Sequence, residues 1–508
     1  MYKIMTTLRL HAAISSAIAM LLLTGCRVGP KYQVPPATAQ APPVSYKESP
    51  TQFPDNDGWK VAQPQDAMLH GKWWEIYNDP ELNALEGQLN INNQNIKQFF
   101  ENFMEARNLV AQARAQLYPT LATSPSYQRS RTSSNLTNSA SANTGHESSV
   151  GDLSFSASWE PDLWGKVRNT IREQQYNAQL SAADLENERL TEQASLAIFF
   201  FELRGQDALI EIFENTITAD QKSLDYTRAQ YETGVGDEIS VVEAQNTLQN
   251  VQSAATNLTV ARAQFEHAIA VLIGTPASGF SIPVKPLLTT APSIPIGVPS
   301  QLLERRPDIA AAERNMASAN AQIGVATAAF YPNLTLSAQG GLESSTFKHF
   351  LDWPSRFWSI GPSVSETIFD AGLRRATVNQ FIAVYNADIA SYRQTVLTAF
   401  QQVEDYLAAV RILSTQMQQQ QAAQQSAEQY VSLAMARYET GIDPYINVVT
   451  AQSTLLVDQQ ALATLHIQQM TASVQLIEAL GGGWDNSQLP TPAQVSRKLT
   501  RTETTIQK

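Results

Sequence analysis

The chain has 508 residues, 43% of them hydrophobic and 16% charged, with 35 Lys and Arg against 47 Asp and Glu for a formal net charge of −12. An acidic chain without long basic clusters is not built to grip nucleic acid. A single cysteine excludes an intramolecular disulfide, and six scattered histidines (His11, His70, His146, His267, His349 and His466) show no metal-ligand spacing.

The N-terminus reads as a secretory signal. Lys3 and Arg9 precede a mostly apolar stretch from Ala12 to Leu23, which ends Leu23-Thr24-Gly25-Cys26. That ending resembles the bacterial lipobox, which implies cleavage after residue 25 and a lipid on Cys26. Arg27 follows where an aspartate would hold an enterobacterial lipoprotein at the inner membrane, so the resemblance favours the outer membrane. Beyond this signal no run of eighteen or more apolar residues could cross a bilayer as a helix. Residues 26–70 form the expected anchor and an extended tether, proline-rich and without periodicity.

A first repeat is expected over residues 71–275. Trp73-Trp74 and Asp79-Pro80-Glu81-Leu82 open a helical stretch that runs to about Leu117 and stops at Tyr118-Pro119. A strand pair follows over about 120–163, where Leu153, Phe155, Ala157 and Trp159 alternate with Ser154, Ser156, Ser158 and Glu160. This period of two belongs to a sheet with one apolar and one polar face. Thr132–Glu147, rich in Ser, Thr and Asn, is an exposed loop between the strands. Trp159 and Trp164, with Phe357 and Trp358 of the second pair, are expected to form an interfacial aromatic girdle. A long helix is predicted over Lys166–Glu232, a hairpin tip at about 231–240, and a returning helix over about Glu238–Ile273.

Residues 276–300 are proline-rich and are expected at mid-height of the molecule. The second repeat, 301–484, has a helix over about 307–329, a stop at Tyr331-Pro332, and strands within 332–370. There Leu334, Leu336 and Ala338, then Trp358, Ile360 and Val364, alternate with polar neighbours. The long helix Leu373–Glu439 carries a 4-3 apolar stripe: Val378, Ile382, Tyr385, Ile389, Tyr392, Val396, Ala399, Val403, Tyr406, Val410, Leu413 and Met417. Such spacing predicts coiled-coil packing, and the glutamine-rich patch Gln416–Gln425 reads as a solvated helix face. A tip at about 438–447 leads into a return over about Tyr445–Leu480, and residues 485–508 form a tail.

The duplication is most visible at the tips. Ala229–Leu248 recurs at Ala436–Leu455, 207 residues downstream without a gap, with twelve of twenty positions identical. Gly234 and Gly441 suit the left-handed position that closes a helix. Asp443-Pro444 is expected to supply an N-cap with proline at the first helical position. At ~1.5 Å per residue each long helix spans on the order of 100 Å, so each half is a rod of two antiparallel columns. Two strand pairs cannot close a barrel, which needs about eight strands, whereas three copies would give twelve strands and a homotrimer. No phosphate-cradling loop or nucleophile elbow appears, and Gly481-Gly482-Gly483 follows a helix in the wrong order for phosphate capture. The expectation is a protein that is no enzyme, with no cofactor and no metal.

The ordered set of Cys26, Trp73-Trp74, Leu117-Tyr118-Pro119, Arg305-Arg306-Pro307-Asp308-Ile309, Phe330-Tyr331-Pro332, the two Tyr-x-x-Gly turns and Ala479–Trp484 resembles the TolC-like outer-membrane efflux factors. Within them it is most similar to the lipidated NodT/OprM-like branch. The resemblance implies a mainly α fold with a β-barrel part: a trimer with a 12-stranded β-barrel in the outer-membrane lipid and a 12-column α-barrel across the periplasm. It further implies a periplasmic adaptor and an inner-membrane RND-type pump as partners, with passive conduction of small toxic molecules. The family's tip positions fall here on Tyr438, Asp443, Ile446 and Thr450 for the periplasmic gate and on Gly234 and Gly441 for the adaptor-facing turns. Thr450 departs from the pattern, which often has aspartate there, while Glu243 holds the matching place in the first tip. Two alternatives stay open: the outer component of a type I protein secretion system, and a non-conducting coiled-coil lipoprotein.

Overall fold

The computed structural model describes residues 27–38, 45–48, 71–131, 133, 147–287, 290–294 and 303–497. The signal peptide, Cys26, His11, His70, His146 and nearly all of the loop before β2 lie outside the described residues, so the expectations placed on them are not addressed by the fold.

After a 3-10 turn at Trp73–Tyr77, helix α1 spans Pro80–Asn92. Asp79 caps it by accepting from the backbone N–H groups of Glu81 and Leu82, with Pro80 at the first helical position. The helical stretch expected to run to about Leu117 is in fact two helices, because α2 begins afresh at Gln94–Ala115. The break is Asn93, whose ψ of 128° leaves the helix. Its side chain accepts from Ile96 N and donates to Glu192 and to the carbonyl of Leu272, both at 3.0 Å. Those partners are distant in sequence, so the cause of the break is tertiary.

Strands β1 (Thr120–Arg131), β2 (Glu147–Trp159), β3 (Asn333–Ser344) and β4 (Arg356–Ser365) form one antiparallel sheet in the order β1-β2-β3-β4. The register places Phe155 opposite Thr123 and Gly340, Trp159 opposite Leu336, and Ala338 opposite Ile360. Since paired residues share a face, the apolar residues of all four strands form one surface, and Ser154, Ser156, Gln339 and Ser359 form the other. Phe357 corrects the expected girdle: it pairs with Gly341 and lies on the polar side, opposite to its neighbour Trp358. Leu121, Phe155, Trp358, Ile360 and Val364 are between 61% and 82% exposed, so the apolar face is largely bare in the protomer, with Phe350 packed beside Gly151 at its upper end.

Below the sheet stand the long helices α3 (Lys166–Glu232) and α6 (Leu373–Glu439), each 67 residues, over the residues that the sequence predicts. Helices α4 (Glu238–Leu272) and α7 (Ile446–Ala479) return beside them, and α5 (Pro307–Ala328) packs against both α3 and α6. The principal core lies at mid-height, where Trp73, Phe200, Phe201, Ile309, Met316 and Leu476 are almost fully buried. The 4-3 stripe of α6 is fully buried at Tyr392, Val396, Ala399 and Val403 and partly covered from Tyr385 to Val410, while Ile382 is 41% exposed. A protomer therefore fills the middle of the seam and leaves its upper end for something else to cover.

Two irregular segments are tied to this frame. Asp207, fully buried, takes Arg204 at 3.1 Å and Arg262 at 2.6 Å, and its carboxylate accepts from Lys285 N. Arg204 also pairs with Glu81 and donates to Pro283 O, so the network fastens the proline-rich segment to the helices. The described parts of the N-terminal tether, residues 27–38 and 45–48, are likewise docked on the helices. Val28 N donates to Trp164 O at the foot of the sheet, Tyr32 reaches Glu313, and Glu48 pairs with Arg411 at 2.8 Å.

Candidate functional site

Both hairpin tips turn through a glycine with left-handed backbone, Gly234 at φ 76° and Gly441 at φ 73°. An added Cβ meets no atom at either position, so the requirement is conformational and not steric. In each tip the glycine N–H donates to the tyrosine three residues back, Tyr231 or Tyr438. From there the copies diverge. Asp237 caps α4 by accepting from Ser240 N at 2.7 Å, and that hydrogen bond holds its carboxyl below the usual range.

Asp443 does not cap α7, contrary to the expectation from Asp443-Pro444. Pro444 and Tyr445 form a turn of their own, with Asn447 N donating to Pro444 O, and the helix begins only at Ile446. Asp443 is then too far ahead to reach the free N–H groups. It accepts instead two bonds from Arg437, at 2.6 and 3.1 Å, and this partner keeps its carboxyl below the ordinary value.

The four gate candidates do not gather in one place. Tyr438 enters a cluster between the hairpins: its hydroxyl donates to Gln230 Oε1 at 2.7 Å, and its ring meets Tyr226 edge-on at 6.0 Å and Tyr445 at 5.2 Å. Asp443 stays at the turn with Arg437. Ile446 is 47% exposed, and Thr450 is exposed with its hydroxyl donating to Ile446 O at 2.8 Å. Thus Tyr438 joins α6 to α3 inside the protomer, while Ile446 and Thr450 are presented outward.

Sequence reading missed Tyr445, which is 3% exposed among Leu224, Ala244, Leu248, Val448 and Ala451. Burial pushes its phenol up to about 12. The sign available was a mismatch within the repeat, since Glu238 holds the equivalent place in the first copy. Tyr226 and Gln230, one helical turn apart on α3, were also missed; only the folded α6 shows what they meet.

At the other end the two Tyr-Pro stops mark the junction of helices and sheet. Trp164 stacks on Tyr331 at 4.8 Å and donates to Pro332 O, while Trp159 donates to Leu117 O. Each long helix starts with an acidic residue bonded to its first N–H groups and to an arginine: Asp162 with Arg168, and Asp370 with Arg374. Among the described residues no helix is long and apolar enough to cross a membrane, and no group of His, Cys, Asp and Glu is placed to hold a metal.

A sheet with a bare apolar face, carried on paired helical hairpins whose far ends converge on a tyrosine cluster, is the architecture of an outer-membrane channel subunit. The chain belongs to the outer membrane efflux protein family, whose sequence model matches residues 85–275 and 298–482. It is 32% identical over 479 residues to the toluene efflux pump outer membrane protein TtgC of Pseudomonas putida, covering 93% of this chain and 95% of that one. The antibiotic efflux pump outer membrane protein ArpC, also of Pseudomonas putida, matches at the same identity and coverage. Among solved structures, the outer-membrane channel OprN superposes with a TM-score of 0.80 at 26% identity, over 90% of this chain and 100% of that one. The TolC-like fold and the outer-membrane location expected from the motifs stand confirmed, and the family is one of channel components, not of enzymes.

Proposed function

We propose that three copies of this chain close into one continuous duct that conducts small toxic molecules passively outward and performs no catalysis. The observation that carries the trimer is the sheet itself. Its apolar face is continuous and largely bare, and its edge strands β1 and β4 run in opposite directions. The β4 edge of one copy therefore lies antiparallel to the β1 edge of the next, and three copies close a twelve-stranded wall in which no edge is left unpaired. The exposed part of the α6 stripe, near Ile382, is covered by the same association.

The cargo class follows the relatives: antibiotics and organic solvents, delivered by an inner-membrane RND-type pump through a periplasmic adaptor that meets the turns at Gly234 and Gly441. Closure at that end rests on apolar and tyrosine contacts around Tyr438 and Ile446, with Asp443 held by Arg437 and Thr450 lining the exposed side. Cys26 carries the lipid. In support, Val28 is bonded to Trp164 at the foot of the sheet.

Single-channel recording of the purified protein in a planar bilayer, together with cross-linking of β1 to β4, tests the reading. Discrete conductance steps and a β1–β4 cross-linked trimer are the expected result. A protein that inserts but never conducts would instead be a non-conducting spacer, and a β1–β4 pair that forms no cross-link would remove the barrel.

A further inference from the structure

We propose that the tip cluster holds a proton between its two hairpins, on Asp220 of α3, and that losing this proton loosens the closed end. The inference rests on the gate reading above and adds its regulation. Asp220 is 2% exposed, and neither carboxylate oxygen has a hydrogen-bond partner. It lies about 21 Å before the Gly234 turn at ~1.5 Å per residue, one helical turn above Ser223 and Leu224, which face the cluster.

The opposite wall is α7. Gln452 donates through Nε2 to Ser223 Oγ at 3.2 Å, yet its buried Oε1 has no partner either. Three buried acceptor atoms thus share this seam without a donor, a deficit that low dielectric makes costly. A proton on Asp220 is the missing donor: a neutral carboxyl donates one bond and sheds the charge that burial disfavours. Burial alone raises this carboxyl to about 6. The titratable groups facing the same region are Tyr445 from the start of α7, Tyr438 from α6 and Glu243 from α4; Tyr438 and Glu243 act with Asp220 on the Tyr445 phenol. None of them is a cation. Farther along α7, Asp458 accepts from Gln420 of α6, within the second hairpin.

The sign follows from linkage. A carboxyl raised from 3.8 to about 6 in the closed packing favours that packing when protonated. The closed state is therefore fully favoured below about pH 4, weakens as pH rises towards 6, and stays at its weakest above that. Ionised Asp220 then lies near the Tyr445 phenol of α7 without a hydrogen-bond partner, and it regains water only if the packing of α7 on α3 loosens. The neighbouring contact of α6 with α3, made by the Tyr438–Gln230 bond, lies beside that seam.

The test is bilayer recording of the full-length trimer over about pH 4 to 8, for the wild type and for Asp220→Asn. Asparagine keeps the shape and supplies two donors at every pH. The open-to-closed ratio of the wild type should rise roughly 50-fold over this range, by the separation of the two carboxyl values. Asp220→Asn should stay closed throughout. Infrared titration supplies a second readout: a protonated carboxyl band lost near pH 6 in the wild type and missing in Asp220→Asn, with trimer yield checked for both. A conducting channel with no pH response, or one whose response survives in Asp220→Asn, overturns the regulation and leaves the channel reading intact. A wild type that conducts at no pH overturns both.

Discussion

Phe155→Arg tests the membrane wall where it is most sensitive. Phe155 is 61% exposed on the apolar face, and its sheet neighbours Thr123 and Gly340 offer little cover. It precedes Trp159, at the foot of β2, by four residues, roughly 14 Å of strand at ~3.4 Å per residue. A tilt of about 45° converts this to on the order of 10 Å of height, close to the middle of an apolar band about 25 Å tall. Arginine at that depth costs about 2–4 kcal/mol, and near an interface about 0–1. Leu336 pairs with Trp159, lower on the wall, so Leu336→Arg should lose less. Ser156 lies on the other face, opposite Ala122 and Gln339, so Ser156→Arg should point into the duct and be accommodated. The assay is the yield of detergent-resistant trimer in the outer membrane, with refolding into lipid vesicles over a urea series for the free energies. Equal losses in Phe155→Arg and Ser156→Arg, or a larger loss in Leu336→Arg than in Phe155→Arg, would refute the assignment of faces and depth.

Cys26→Ala should abolish lipidation and processing at this site while the barrel still inserts, and mass spectrometry finding no lipid on the wild-type residue would defeat that claim. Tyr438→Ala combined with Asp443→Ala should raise single-channel conductance and admit bulky antibiotics, because it removes the bond to Gln230 and the partner of Arg437; unchanged exclusion with normal trimer levels would place the gate elsewhere. Since Thr450 brings no carboxylate, the constriction should respond only weakly to divalent cations, and conductance measured with and without magnesium decides this. Asp207→Ala removes the buried carboxylate that Arg204 and Arg262 share, leaving them only Glu81 and Glu266, a loss of up to about 3 kcal/mol, seen as a lower melting temperature and faster proteolysis near residues 282–287.

What could be read in the sequence was set by local periodicity. Both long helices run as their spacing indicates, bracketed by glycines that the turns require. The strand faces were readable because alternation is strict; the same parity already separates Phe357 from Trp358, so grouping both in one girdle neglected a rule in hand. The break at Asn93 was not readable, because residues around it are compatible with helix and the deciding partners, Glu192 and the Leu272 carbonyl, arrive from α3 and the end of α4. The docking of the tether on Trp164, Glu313 and Arg411 was hidden for the same reason. At the tips the motif located the turns, but burial of Tyr445 and isolation of Asp220 exist only once α3 and α7 meet.

The duplicated tips serve different ends because their identical motifs sit beside different neighbours. Tyr231 and Tyr438 occupy equivalent places, yet Tyr231 is 46% exposed while Tyr438 is bonded to Gln230 across the seam. The residue equivalent to Gln230 is Arg437, which reaches its own turn and holds Asp443. Asp237 meanwhile caps α4 and fixes the first tip from within. The first hairpin is thus closed on itself and offers an acceptor, whereas the second donates through Tyr438 and lacks a capped helix start. An exactly symmetric pair would make the same contacts in both directions and would have no preferred direction of movement. Breaking the symmetry at three side chains sets the Tyr438–Gln230 bond, between α6 and α3, beside the α3–α7 packing that is the main contact of the two hairpins, and the unpartnered Asp220 carboxyl sits in that packing near Tyr445.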